Sequence, residues 1–350
     1  MPTPAHPAPP TRLPEDSLGY ALLTSAELIA EVVGGTALTD ALARLWAAHP
    51  ATPAGVRGAI LDLTYSTLRD YGRQDFILGK LLQKPLPEPV QSLLRVALHR
   101  LAVRPDTAHT VVDQAVSAAA TLLGGKFKGV ANGVLRNALR QAGELAQAAD
   151  ADMVAEHRHP PWWIRRLKGQ YPQKWRAILA AGNSHPPMAL RVNPLRASDD
   201  EVLADFAAAG IAVKRLAPGT LRLEQPIPVS RIPGFAEGCV SVQDAGAQHA
   251  ARHLDLADGQ RVLDACAAPG GKSAHILETA DVALTALDSS PVRAQRISEN
   301  LARLGLAAEV KASDCRKLDA WWDGRPFDRI LADVPCSASG VVRRNPDIKW

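Results

Sequence analysis

The 350-residue chain has only 4 cysteines, 5% aromatic residues and no apolar run long enough to cross a bilayer. Cys239, Cys266, Cys315 and Cys336 stand far apart with no C-x-x-C pair. That argues against a metal site and a disulfide framework, and it fits a reducing cytoplasm. The start also lacks an apolar h-region. "MPTPAHPAPPTRLPEDS" is Pro-rich and reads as a disordered tail over residues 1–17, not as a signal peptide. With 47% hydrophobic and 22% charged residues, the chain is long enough for two or three domains, each with its own core.

The net charge of +4 is small, but it is unevenly spread. Residues 121–176 hold ten Lys/Arg against four acids, and the rest of the chain is slightly acidic. A basic segment on a near-neutral protein suits a polyanionic partner, although an ordinary solvated helix face would look the same.

Residues 18–147 read as an all-helical bundle. In "QSLLRVALHRLAVR" Leu94, Ala97, Leu98 and Leu101 recur at the spacing of one helix face. In the stretch beginning at Thr107, Thr110 and Asp113 resemble a capping pair, and Gly124-Gly125 end the helix. In "GVANGVLRNALR" Val130, Val134, Leu135 and Ala138 fall on one side, with Arg136 and Arg140 on the other, close behind Lys126 and Lys128. "PLPEP" (85–89) is expected to be a loop within the bundle.

Residues 148–240 read as a connector followed by a small α+β RNA-binding module. Trp162, Trp163, Tyr171 and Trp175 lie among basic residues. Such aromatics either stack on unpaired bases or plug an interface between domains.

From residue 241 onward, strand and helix alternate. The short apolar runs 261–265, 282–288, 307–314 and 327–333 predict parallel strands. Ser290, Pro291 and Gly305 bracket a helix between the second and third. Ligands of such sheets bind beyond the carboxyl ends of the strands, where Asp264, Asp288, Asp314 and Asp333 fall.

"DACAAPGGKS" (264–273) carries the tail of a phosphate-binding loop, but Cys266 stands where the first glycine should be and Pro269 stiffens the middle. Acids around the loop would repel ATP unless a metal bridged them. They suit a cofactor bearing positive charge, such as S-adenosylmethionine.

"DACAAPGGKS", "ALDSS", "SDCRKL" and "DVPCSASG", with "RVN" (191–193) and "SVQDAGAQHA" (241–250) upstream, resemble the RNA (cytosine-5) methyltransferases. "HTVVDQAV" and "GVANGVLRNALR" are similar to the NusB-like RNA-binding module, and "NPDIKW" fits the subgroup that methylates 16S ribosomal RNA. The resemblance implies an all-α NusB-like bundle, a small α+β module and an α/β Rossmann-like class I methyltransferase domain over 241–350. It also implies a monomer in the cytoplasm with ribosomal RNA as partner and no metal.

On the same resemblance, the loop Cys266, Ala267, Ala268, Pro269, Gly270, Gly271 and Lys272 contacts the methionine part and ribose of S-adenosylmethionine. Asp288 takes the ribose hydroxyls, Asp314 lies by the adenine, and Asp333 sits between cofactor and base. RNA would meet Lys126, Lys128, Arg136, Arg140, Arg191 and Asn193.

Carbon 5 of cytosine is a poor nucleophile until a thiolate adds to carbon 6 and makes the ring an enamine. By position alone Cys336 is that thiol. The family pattern instead gives the Pro-Cys cysteine the task of release, beside Asp333, and places the nucleophile in a Thr-Cys-Ser-like motif that residues 1–350 do not contain. The family's sheet also has more strands than the four legible here. A truncated, weakly active or inactive chain is therefore the expectation, with a non-catalytic RNA-binding protein as the alternative.

Overall fold

The computed structural model describes residues 13–350, so most of the Pro-rich stretch lies outside the described residues. Of that stretch, Leu13 is buried in the helical core, and Ser17 caps the first helix by accepting from the Tyr20 amide at 3.1 Å. The chain forms two compact units, Met1–His185 with Ala338–Trp350, and Pro186–Ser337. These divisions fall at 185/186 and 337/338, whereas composition suggested 147/148 and 240/241.

The first unit contains α1 (Leu18–Val33), α2 (Leu38–Ala48), α3 (Ala54–Leu81), α4 (Glu88–Val103), α5 (Ala108–Thr121), α6 (Lys128–Arg140), α7 (Ala142–Ala151), α8 (Met153–His157), α9 (Pro161–Gln170) and α10 (Trp175–Asn183). Leu22, Ile29, Ile60, Leu68, Leu93, Leu94 and Leu135 are fully buried at its centre. Each buried aliphatic side chain contributes roughly 1.5–3 kcal/mol, which is why amphipathic helices hold together here.

Two sequence expectations shift. α5 begins at Ala108 after a short turn over Pro105–Thr107, so Thr110 and Asp113 lie inside the helix and cap nothing. On α6 the buried face is Ala131, Val134, Leu135 and Ala138, while Val130 is exposed.

The last residues of the chain seat in this helical unit. The Trp350 ring packs 4.9 Å from Tyr71, and its Nε1 donates to the Leu68 carbonyl at 3.0 Å. The buried Lys349 ammonium donates to the carbonyls of Arg69 and Arg158 and to Asn183 Oδ1, at 2.9–3.1 Å. Asp347 accepts from the Leu38 amide at the start of α2. Gly72 makes the seat possible, because a Cβ there would stand 2.9 Å from the Trp350 ring.

The second unit holds two four-stranded sheets. The first is antiparallel, in order β2-β3-β1-β4, with β1 Met188–Val192, β2 Val213–Ala217, β3 Thr220–Leu223 and β4 Val240–Val242. It is covered by α11 (Asp199–Ala208), which starts with a Ser198–Glu201 capping box and buries Phe206 against Leu190 and Leu221.

After α12 (His249–Arg252), the second sheet runs β5 (Arg261–Asp264), α13 (Gly271–Thr279), β6 (Ala283–Asp288), α14 (Pro291–Leu304), β7 (Glu309–Ala312) and β8 (Arg329–Leu331). All its pairings are parallel, in the order β7-β6-β5-β8. Succession reverses direction at β5, so the crevice beyond the carboxyl end of β5 is where such sheets take a ligand. Ser290 and Gly305 bracket α14 as the sequence suggests, with Gly305 at φ +70°.

Candidate cofactor and base site

The loop between β5 and α13 is tied down by its backbone. The Ala265 amide donates to the Leu331 carbonyl at 2.9 Å, and the Ala267 amide to the Leu287 carbonyl at 2.7 Å. The Ala268–Pro269 peptide is cis. Gly270 adopts φ +94°, and a Cβ there would lie 3.2 Å from Ile297 of α14, so only glycine lets the loop press against that helix. A Cβ at Gly271 would meet nothing within 4 Å, leaving open space over the first turn of α13.

Acids ring this space at the strand ends. Asp264 is buried, its Oδ2 accepts from Ser273 Oγ at 2.7 Å, and its Oδ1 has no hydrogen-bond partner among the described residues. Burial pushes its carboxyl up to about 6, against the pull of the Ser273 hydrogen bond and the Lys272 charge. Asp288 is buried at the end of β6, where it accepts from the Ser290 amide at 3.0 Å and pairs with Arg293 at 3.2 Å. Asp314, beyond β7, is held well below the usual carboxylate range, first by its hydrogen bonds from the Arg316 side chain.

The remaining candidates lie after β8. Lys272 Nζ and Asp333 Oδ2 are 2.5 Å apart, which joins the first loop to the "DVPC" loop. Cys336, three residues on, is exposed. The Cys266 thiol is pushed up by burial and then by the neighbouring Cys315.

The structure thus brings Cys266 to Lys272, Asp288, Asp314 and Asp333 to one edge of the parallel sheet. It does not bring Arg191 and Asn193 to any surface. Arg191 is 3% exposed and forms a two-pronged ion pair with Glu278 of α13, at 2.8 Å to each oxygen. It also donates to Gln243 Oε1 and, at 2.9 Å, to the Gly271 carbonyl. Asn193, 1% exposed, donates to the Gly238 carbonyl and accepts from the Leu195 amide. The expected RNA contacts at these positions are corrected accordingly, because both side chains are spent inside the unit.

Lys126, Lys128, Arg136 and Arg140 are exposed in the helical unit, and none pairs with a carboxylate among the described residues. Trp163 and Trp175 are buried with Ile164, Leu179 and Val342, whereas Trp162 and Tyr171 stay half exposed. Sequence reasoning missed Glu278, Gln243 and Ser273 as supports of the loop. Gln243 and Ser273 both lay within motifs already singled out, whereas Glu278 lay in none.

The residues present fit a cationic adenosine cofactor. An unpaired buried carboxylate oxygen, an open glycine turn and further acids favour positive charge and resist a polyphosphate. Cys266 to Lys272, Asp264, Asp288 and Asp314 would hold it. Among the described residues there is no group of His, Cys, Asp and Glu that could bind a metal, and no helix long and apolar enough to cross a membrane.

A parallel sheet with a glycine-bearing loop after its first strand and acids at the next strand ends is the arrangement of an enzyme that binds an adenosine cofactor, here S-adenosylmethionine of a methyltransferase. The family model for 16S rRNA methyltransferase RsmB/F matches residues 251–350, a RsmF/B-like ferredoxin-like domain matches 159–230, and the NusB family matches 23–140. The chain is 46% identical over 300 residues to ribosomal RNA small subunit methyltransferase B of Pseudomonas putida, covering 84% of this chain and 69% of that protein. The protein of the same name from Pseudomonas syringae pv. tomato is 45% identical, with 84% and 67% covered. The crystal structure of PH0851 shares the fold, with a TM-score of 0.73 at 22% identity, covering 97% of this chain and 78% of that one. The chain belongs to the 16S rRNA methyltransferase RsmB/F family and is an enzyme of the methyltransferase class.

Proposed function

We propose that the protein methylates carbon 5 of a cytosine in 16S ribosomal RNA, in the cytoplasm, through a covalent cysteine adduct at carbon 6. The observation that carries this reading is the Lys272–Asp333 contact. It couples the cofactor loop to the acid and thiol of the "DVPC" segment at the ligand edge of the sheet. The cofactor, when bound, supplies an electrophilic methyl group on a sulfonium.

Asp333, oriented by Lys272, accepts from the N4 amino group of an unpaired or flipped base and so fixes the ring in the site. A thiolate then adds to carbon 6, and carbon 5 takes the methyl group. The Cys336 side chain, as thiolate, takes the carbon 5 proton, and the double bond re-forms as the carbon–sulfur bond breaks and the attacking thiolate leaves. A free thiol near pKa 8.5 is only a few per cent ionised at neutral pH, so the site must favour the thiolate. Cys336 is assigned to the release half of this sequence, and the exposed Lys126, Lys128, Arg136 and Arg140 to the RNA backbone.

S-adenosylmethionine should raise the melting temperature with the logarithm of one plus its concentration over Kd, and ATP with magnesium should not. Asp288→Ala should blunt the shift. The opposite ligand preference would sink the assignment. In a chain carrying the family's Thr-Cys-Ser-like motif, Cys336→Ala should accumulate an RNA-linked species that survives denaturing gels. Loss of both adduct and product would instead make Cys336 the attacking thiol.

A further inference from the structure

Between residues 157 and 198 the sequence has eight Lys/Arg and no Asp or Glu. Three of the eight are spent internally. Arg158 pairs with Asp70, Arg191 with Glu278, and Arg196 donates to the Leu304 carbonyl. The other five, Arg165, Arg166, Lys168, Lys174 and Arg176, are exposed on α9, α10 and the turn between them, and no carboxylate pairs with them among the described residues.

Helix α9 is firmly seated by one side only, through Trp163 and Ile164 packed with Trp175 and Leu179. At the edge of this seat Trp162 is 52% exposed, its ring centroid 5.1 Å from that of the buried Trp163. Residues 162, 165 and 166 are neighbours on a helix surface by the three- and four-residue rule, so the indole lies beside two arginines. Gly169, one turn further along that row, adds no side chain, and a Cβ there would meet nothing within 4 Å. Tyr171, 50% exposed, closes the helix.

The half-exposed indole thus stands beside guanidinium groups with which no carboxylate pairs among the described residues. It matches a ligand with flat π faces and closely spaced negative charge. An apolar protein partner would want fewer charges, and a duplex offers no open base face.

We infer that the outer face of α9, with Trp162 as a stacking platform and Arg165 and Arg166 as phosphate contacts, binds single-stranded RNA. The inference rests on the proposed RNA substrate but concerns a surface apart from the methyl-transfer residues. It supplies a sequence-tolerant grip on an unpaired stretch, since every base presents a face to stack.

The test is fluorescence anisotropy of the full chain with a short unstructured RNA oligonucleotide, repeated over a range of salt concentrations. Arg165→Gln with Arg166→Gln should lower the slope of log affinity against log salt by about 1.4, at roughly 0.7 per neutralised contact on a single strand. Trp162→Ala should weaken binding about 5- to 150-fold with the slope unchanged, and Trp162→Phe should retain most of the affinity. A blunt-ended RNA duplex, which has no unpaired bases, should not register Trp162→Ala.

Unchanged affinity and slope in both variants overturns the inference, as does equal loss for the blunt-ended duplex. Unaltered RNA binding together with loss of self-association in Trp162→Ala also overturns it, by assigning the face to protein contact. The readout needs neither cofactor nor turnover. A failed cofactor-induced melting shift would therefore refute the methyltransferase reading alone, and unchanged variants would refute this surface alone.

Discussion

Replacing Arg191 by Met tests whether this side chain meets RNA or holds the second unit together. The guanidinium and the Glu278 carboxylate have side chains only 3% and 0% exposed, with both prongs at 2.8 Å. Removing the cation leaves a carboxylate in an apolar interior and orphans the Gly271 carbonyl. Breaking one side of such a pair costs about 3–5 kcal/mol, because the remaining charge keeps its desolvation penalty without compensation. For a unit of this size that is a fall of roughly 6–20 °C in melting temperature. Burial, the larger cause of the lowered His275 pKa, still opposes its serving as a substitute cation once Arg191 is gone. The Arg191→Met, Glu278→Leu double variant removes both charges and should recover most of the loss. Hydrogen exchange of the β1 and α13 amides reads the free energy of this unit separately from the helical one. A single variant that stays within about 0.5 kcal/mol of the parent while losing RNA affinity would refute the reasoning and return Arg191 to the RNA surface.

Two further predictions follow from buried contacts. Asp264 has a folded pKa of about 6, above its ordinary 3.8. The folded state therefore holds the proton more tightly, so its contribution is full below pH 3.8 and is lost as pH rises through 6. Asp264→Asn should remove about 2 kcal/mol of that pH dependence between pH 4.5 and 7.5, seen as the difference between parent and variant melts at those two values, and should weaken S-adenosylmethionine binding. Parallel pH curves would count against it. Gly72→Ala should destabilise the helical unit by about 1–2 kcal/mol despite alanine's better helix propensity, because its Cβ lands 2.9 Å from the Trp350 ring. Adding Trp350→Leu should relieve the clash, and an equal loss in the double variant would mean that the strain lies elsewhere.

The strand ends were legible because each is followed by or closes on an acid, and three of the four also have a proline within a few residues, Pro269, Pro291 and Pro335. Asp264, Asp288, Asp314 and Asp333 all fall where that pattern puts them. The helix faces were mostly legible too, but the face of α6 is keyed on Ala131, and valine's greater hydrophobicity pulled the reading one residue off. Trp162 and Trp163 show a harder limit. They are adjacent, identical residues with opposite fates, and only the burial of Ile164 beside Trp163 separates them. Arg191 was out of reach, because its partner lies 87 residues away. Local pattern carries no information about which distant carboxylate will close on a guanidinium.

The motifs "RVN" and "SVQDAGAQHA" take on a different meaning once their contacts are known. Gln248 accepts from Thr220 Oγ1 at 2.6 Å and donates to the carbonyls of Leu190 and Gln243. Gln243 in turn accepts from Arg191, which reaches the Gly271 carbonyl and Glu278. The chain of bonds therefore starts in the antiparallel sheet and ends on the first turns of α13, against which the cofactor loop is set. Each polar group in it is buried, so the cost of leaving any one unpaired is the full desolvation penalty. Such a network has few alternative arrangements, and the loop inherits that rigidity. Loosening the antiparallel sheet at Arg191 should then be felt at the Asp264–Ser273 contact on the other side of the loop, without any change to a residue that would touch the cofactor.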